Sequence, residues 1–152
     1  MNFETAKEIE ICVAKYFNPR INIIVPNVWW GLGLNHECDL LVLIRTGYAY
    51  EVEIKVSRSD LLADLKKRSG HHSDLLRRLY FCIPKKLESS IPDIPERAGV
   101  LVVHNNGGVY KHREAKLNPY SKKLNNKVML KIAHLGCMRI WKLKEEIKRL
   151  EK

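Results

Sequence analysis

Two acids and a lysine stand at a spacing that could do phosphate chemistry: Asp39, then Glu53 and Lys55 with Ile54 between them. Strand alternation supplies the geometry. From His36 to Ile44 it sets Cys38, Leu40, Val42 and Ile44 on one side, and Glu37, Asp39, Leu41 and Leu43 on the other. From Tyr48 to Val56, the residues Tyr50, Val52, Ile54 and Val56 alternate with Glu51, Glu53 and Lys55. Arg45-Thr46-Gly47 suits a three-residue hairpin loop, with the glycine in the left-handed position. Pairing Ile44 with Tyr48 then brings Asp39 opposite Glu53, with Lys55 one step beyond. A hard dication such as Mg²⁺ takes a few carboxylate oxygens and leaves its other positions to water and substrate phosphate. Asp39 and Glu53 supply two such ligands, and the Ile54 backbone carbonyl lies beside them. A neighbouring ammonium can orient a water or stabilise developing charge. The competing reading is a wet hairpin face on which Glu51, Glu53 and Lys55 make cross-strand ion pairs.

Those residues need a scaffold, and the rest of the chain predicts one. The 152 residues, 45% hydrophobic, suit a single domain over 1–152, with a core from about 3 to 113 and C-terminal helices from about 121 to 151. Asn2 is the expected cap of a helix from Phe3 to Phe17 with an apolar stripe through Ala6, Ile9, Val13, Tyr16 and Phe17. Glu10 sits at the margin of that stripe, so its carboxylate either looks inward at the sheet or reaches water. Arg20 to Pro26 reads as a strand, and Leu79 to Pro84 and Ala98 to His104 as two more. Asn105 to Gly108 is a hairpin turn returning along Val109 to Arg113. Ser59 is the expected cap of a helix from Asp60 to about Arg68. Lys85 to Arg97 is Pro-rich and expected as loop, while Ser121 to Leu135 and Cys137 to Lys152 read as two helices parted by Gly136. The order of elements predicts an α/β domain: a central mixed β-sheet flanked by α-helices.

Charge narrows the partners. With 27 Lys and Arg against 17 Asp and Glu, the net charge of +10 favours polyanions, DNA first, with RNA not excluded. No apolar run is long enough to span a bilayer, and the four scattered cysteines read as reduced core residues, so a cytoplasmic protein without a membrane partner is expected. Candidate nucleic-acid contacts are Lys66, Lys67, Arg68, His71 and His72, with Trp30 of the Trp29-Trp30 pair able to stack on a base. Adjacent histidines cannot easily place both rings on one ion, so His71-His72 is not expected to be a zinc site. Asp60 and Asp64, one turn apart, share a helix face.

Asp39 with Glu53-Ile54-Lys55 resembles the D…(D/E)xK signature of the PD-(D/E)XK nuclease superfamily. The continuation EIKVSRSDLLADLKK, followed by LLRRLYFCIP and AGVLVV, is similar to its MmcB-like branch, which is associated with DNA repair and with small phage and bacterial proteins. The likeness spans Glu37 to Val103. It implies a restriction-endonuclease-like fold and an endodeoxyribonuclease using Mg²⁺ or Mn²⁺, with Asp39 and Glu53 as metal ligands and Lys55 as the catalytic lysine. An acid of the first helix often completes such sites, and Glu10 is the candidate, with Glu8 behind it. Cys38 stands where the signature has proline. Asp60, Asp64, Lys66 and Lys67 match the branch's helix, either as DNA contacts or as ion pairs within the domain. Two other functions fit the same sequence: a nucleic-acid-binding module without turnover, and an interaction protein that forms a homodimer or higher oligomer through the tryptophan loop and the C-terminal helices.

Overall fold

The structure, a computed structural model, describes residues 5–29, 33–67 and 71–152. Its frame is a six-stranded sheet whose strands lie side by side in chain order. They are β1 (Ile23–Val28), β2 (Cys38–Leu43), β3 (Ala49–Ile54), β4 (Leu76–Pro84), β5 (Gly99–Val103) and β6 (Val109–Arg113). The sheet is mixed: β1, β2 and β3 are antiparallel neighbours, β3–β4 and β4–β5 are parallel, and β6 returns antiparallel to β5. The expected α/β sheet flanked by helices is therefore present.

The β2–β3 hairpin has the expected register. Leu40 faces Val52 and Leu43 faces Ala49, the Ile44 amide donates to the Tyr48 carbonyl, and Gly47 takes a φ of +88°. That register sets the Asp39 level against Glu53. One alternation differs from expectation. Cys38 packs with Leu41 and Leu43 rather than with Leu40 and Val42. Val28, its partner on β1, sits on that same face, as does Val25 three residues before it. Both strands change parity together at the step holding Asn27 and Asp39, where Asn27 adopts the left-handed φ of 52°. A residue with positive φ breaks the two-residue repeat of a strand, much as a bulge does.

Among the described residues, three α-helices and a 3₁₀ helix cover the sheet. Helix α1 (Ala6–Tyr16) begins at a capping box in which Thr5 and Glu8 satisfy each other's amides, so the cap is Thr5, whereas the expected cap Asn2 and residues 3–4 lie outside the described residues. Ile9 and Val13 are fully buried against Leu40, Val42, Val52, Ile54, Tyr80 and Cys82, which is worth about 1.5–3 kcal/mol each. The opposite face carries two separate clusters. Over β1 and β2 lies α3 (Asn126–Leu150), whose Ile132 joins Val25, Leu41 and Leu43. Over β4 and β5, Leu61 of α2 (Arg58–Leu65) and Ile91 of a 3₁₀ helix (Lys85–Asp93) pack on Phe81, Ile83 and Val102.

Several boundaries correct the sequence reading. Ser57, not Ser59, caps α2: its Oγ accepts from the Asp60 amide at 3.1 Å. The strand read from Arg20 begins at Ile23, the strand read from Leu79 begins at Leu76, and part of the expected loop from Lys85 is the 3₁₀ helix. The two expected C-terminal helices are one, running 25 residues through Gly136. A Cβ at Gly136 would meet Val25 Cγ2 at 3.4 Å. The helix thus passes β1 at ordinary contact distance and does not break at this glycine.

Candidate functional site

Between the α3 cluster and the α2 cluster, β3 and the residue after it present Glu51, Glu53 and Lys55. The wet-face alternative fails here: Glu51 is 0% exposed, Glu53 2% and Lys55 5%. Buried charges persist only when paired and hydrogen-bonded. The partners come from segments remote in sequence. Lys55 Nζ lies 3.0 Å from Glu53 Oε2 and 3.3 Å from Asp64 Oδ1 of α2. Asp64 also meets Lys67 Nζ at 2.7 Å and His71 Nε2 at 2.6 Å. Glu51 Oε1 is approached by His36 Nε2 at 2.6 Å and by His71 Nδ1 at 2.9 Å.

The electrostatics follow from these contacts. Burial would raise Asp64, yet hydrogen bonds from His71 and Lys67, together with the Lys55 charge, hold it well below the usual carboxylate range. Glu51 is likewise lowered, with His36 and His71 outweighing its burial. Burial alone would neutralise Lys55, but Glu53, Asp64 and Asp39 around it keep it firmly protonated. Glu53 goes the other way. Burial first and the Asp39 charge second push its pKa up to about 8.

Asp39 stands at the edge of this network. Its Oδ2 accepts from the Ile54 amide at 2.8 Å, and its own amide reaches Glu53 Oε1 at 3.4 Å. It faces a cleft of about 770 Å³ at the end of the sheet. Glu10 of α1, Ile54, Lys55 and Asp60 also line it, with Lys7, Lys67, Arg139 and Lys142 supplying positive charge. Glu10 is half-buried there, its carboxyl raised by burial and then by the Asp39 charge. Of the two orientations left open for Glu10, the one toward the sheet end is observed.

The predicted residues thus divide. Asp39, Glu53, Ile54, Lys55 and Glu10 converge, with Lys67 at the cleft wall. Lys66 and His72 are exposed, the latter beside Arg77, Arg78, Arg97 and Lys116 in a second cleft. His71 is corrected from a surface contact to an interior one: its ring is 5% exposed and both its nitrogens are engaged by carboxylates. Arg68 and Trp30 lie outside the described residues, and Trp29 is exposed. Asp60 and Asp64 do not share a role, since only Asp64 is buried. Sequence reasoning missed Glu51, His36 and Asp64 as parts of one cluster. Their signal was indirect, an unusual density of His, Glu and Asp around an otherwise apolar hairpin.

Among the described residues, two groups hold three ligand-type atoms within 4.8 Å of one another: His36, Cys38 and Glu51, and Glu51, Glu53 and His71. No described helix is long and apolar enough to cross a membrane.

No family model matches the sequence, and no curated protein matches it. In structure, the chain is similar to the SPO1766 protein of unknown function from Silicibacter pomeroyi, at 16% identity and a TM-score of 0.69. That likeness covers 99% of this chain and 96% of the other, so the two share a fold across nearly their whole lengths.

Proposed function

We propose that this chain is a PD-(D/E)XK-type nuclease that hydrolyses DNA phosphodiester bonds with Mg²⁺ or Mn²⁺, in repair, recombination or phage DNA metabolism. One observation carries the reading: Asp39 and Glu53 meet across the hairpin beside Lys55, and Asp39 and Lys55 open onto a cleft edged by Lys7, Lys67, Arg139 and Lys142, with Glu53 buried behind them. The acid pair fits a hard dication. Burial, and then repulsion between two carboxylates pressed together, raise Glu53 to about 8, and a cation between them relieves that repulsion. Asp39, Glu53 and the Ile54 carbonyl would hold the ion, with Glu10 farther off along the same cleft. Once bound, the ion supplies Lewis-acid activation of phosphate and water. The protein's own part is to position and to bind. Lys55, charged and fixed between Glu53 and Asp64, offers a preorganised ammonium where negative charge develops. Lys7, Lys67, Arg139 and Lys142 would hold the sugar-phosphate backbone against the cleft.

The test is cleavage of supercoiled plasmid and of branched and single-stranded oligonucleotides, with Mg²⁺, Mn²⁺ or EDTA, beside Asp39→Ala and Lys55→Ala. Cleavage should need the metal and fall at least about a hundredfold in either variant. Activity that survives both substitutions would remove the site from consideration. A second reading, a DNA-binding module without turnover, is favoured by the internal pairing of Lys55 with Glu53 and Asp64. Salt-sensitive binding with no cleavage of any substrate would select it.

A further inference from the structure

The acid-lysine cleft leaves another group of donors unused, and its chemistry is different. His36, Cys38 and Glu51 each bring one ligand-type atom within 4.8 Å of the others. His71 Nδ1 approaches the same Glu51 Oε1 that His36 Nε2 contacts, at 2.9 Å against 2.6 Å. The two rings stand edge to face with centroids 4.7 Å apart. We propose that His36, Cys38, Glu51 and His71 form a zinc site, separate from the all-oxygen site at Asp39 and Glu53.

Three features of the structure point to a cation there. The first is how the imidazoles are held. The outer nitrogen of His36 meets Asn35 Oδ1 at 2.8 Å, and that of His71 meets Asp64 Oδ2 at 2.6 Å. An oxygen acceptor on the outer nitrogen keeps a proton there when a metal ion takes the place of the inner one, the arrangement by which carboxylates and amides orient metal-bound histidines. The second is what the inward nitrogens face. Both converge on one carboxylate oxygen, which has no proton to give, so each inward nitrogen carries either a proton or a metal ion, and His71, with a second carboxylate on its other nitrogen, is cationic unless a metal takes the place of its inner proton. The third is Glu51 itself. Its side chain is 0% exposed, and its second oxygen, Oε2, makes no regular hydrogen bond among the described residues, with the Cys38 thiol, a weak donor, beside Glu51. A buried carboxylate oxygen left with only a weak donor is costly, and a ligated cation removes that cost.

Donor type selects the ion. Two imidazoles, one thiolate and one carboxylate make a borderline-soft set that suits four-coordinate Zn²⁺ and not Mg²⁺. Zinc ligands at about 2.0–2.3 Å in a tetrahedron stand roughly 3.3–3.8 Å apart. His36, Cys38 and Glu51 already form one group, whereas His71 groups with Glu51 and Glu53, so to admit the ion the spacing would need to open between His36 and Glu51 and to close between His71 and both His36 and Cys38. The ion would tie the start of β2, the middle of β3 and the segment after α2 into one unit. His71 does this without His72, so the objection to adjacent histidines does not apply.

The experiment uses the full chain without a polyhistidine tag. Metal content is measured after dialysis, and the metal-free protein is titrated with Co²⁺ as an optical stand-in for Zn²⁺. One ion per chain is expected, with intense tetrahedral ligand-field bands, a sulfur-to-cobalt charge-transfer band, and displacement of cobalt by zinc. Cys38→Ser should lose the charge-transfer band, and His36→Gln should weaken binding at least about tenfold. A wild-type chain that retains no zinc and gives no tetrahedral cobalt spectrum overturns the proposal whatever the variants do. So does a charge-transfer band that persists in Cys38→Ser. Zinc bound at this site in a chain that cleaves no DNA would support the proposal and count only against the nuclease reading.

Discussion

Asp64 shows how much one buried carboxylate organises in this protein. It sits on α2 but its partners are Lys55 of the segment after β3, Lys67 beyond the helix, and His71 further on. Three cationic or proton-donating groups converge on it, and each loses a buried counter-charge if it is removed. Breaking a buried pair from one side typically costs about 3–5 kcal/mol, because the other charge is stranded. Asp64→Ala should therefore lower stability by about that amount in urea or guanidinium titration of the metal-free chain. Asp60→Ala, one turn earlier and exposed, should cost less than about 1 kcal/mol. Equal losses at the two positions would mean that Asp64 is solvated rather than embedded. The contrast also marks what sequence could disclose at this scale. Spacing places Asp60 and Asp64 on adjacent turns, yet only the packing of His71 and Lys55 makes one of them interior. Likewise, alternating Glu and Lys along β3 carries no sign of burial, since the groups that cover it come from His36 and from beyond α2.

At the scale of elements, local pattern was most informative where one face of a strand is apolar. The β2–β3 hairpin with its Gly47 turn was legible from period-two alternation, and the β5–β6 return from a continuous apolar run ending at the Asn105–Gly108 turn. Hence alternation and the turn alone suffice to set Asp39 opposite Glu53. The parity change at Asn27 was not legible, because a left-handed asparagine inside a strand has no distinct sequence mark. Gly136 misled for a related reason. Glycine signals a helix end through its backbone freedom, but it equally signals a close approach, and here α3 simply continues past Val25. This has a measurable consequence. A Cβ at 3.4 Å from Val25 Cγ2 is ordinary contact, so Gly136→Ala should be accommodated and should gain the helix preference of alanine over glycine, about 0.5–1 kcal/mol. Its denaturant midpoint should rise. A fall would show that the chain bends or ends at this position, as two helices parted by Gly136 would require.

For the whole molecule, the decisive quantity is where the excess positive charge lies relative to the acids. The net charge of +10 says only that polyanions are attracted. The fold adds that α1, the segment after α2, and α3, from three separate parts of the chain, bring Lys7, Lys67, Arg139 and Lys142 to the same cleft as Asp39 and Glu10. An acidic centre alone would repel DNA, and a basic rim alone would bind it without chemistry. Together they would hold phosphates beside a cation-binding centre. If four rim cations neutralise phosphates, duplex affinity should fall with salt at a log–log slope of about −3.6. Replacing exposed Lys7 and Lys142 together by alanine should flatten that slope by about 2 and weaken binding by a similar factor on every sequence tested, because backbone contacts carry no base information. The comparison is best made in Ca²⁺, by fluorescence anisotropy over a salt series, so that binding is read without turnover. An unchanged slope in the double variant would move the DNA path away from this cleft, toward the second basic surface around Arg77, Arg78 and Lys116. Asp39 and Glu53 would then lie off the DNA path, and the nuclease reading would fall with them.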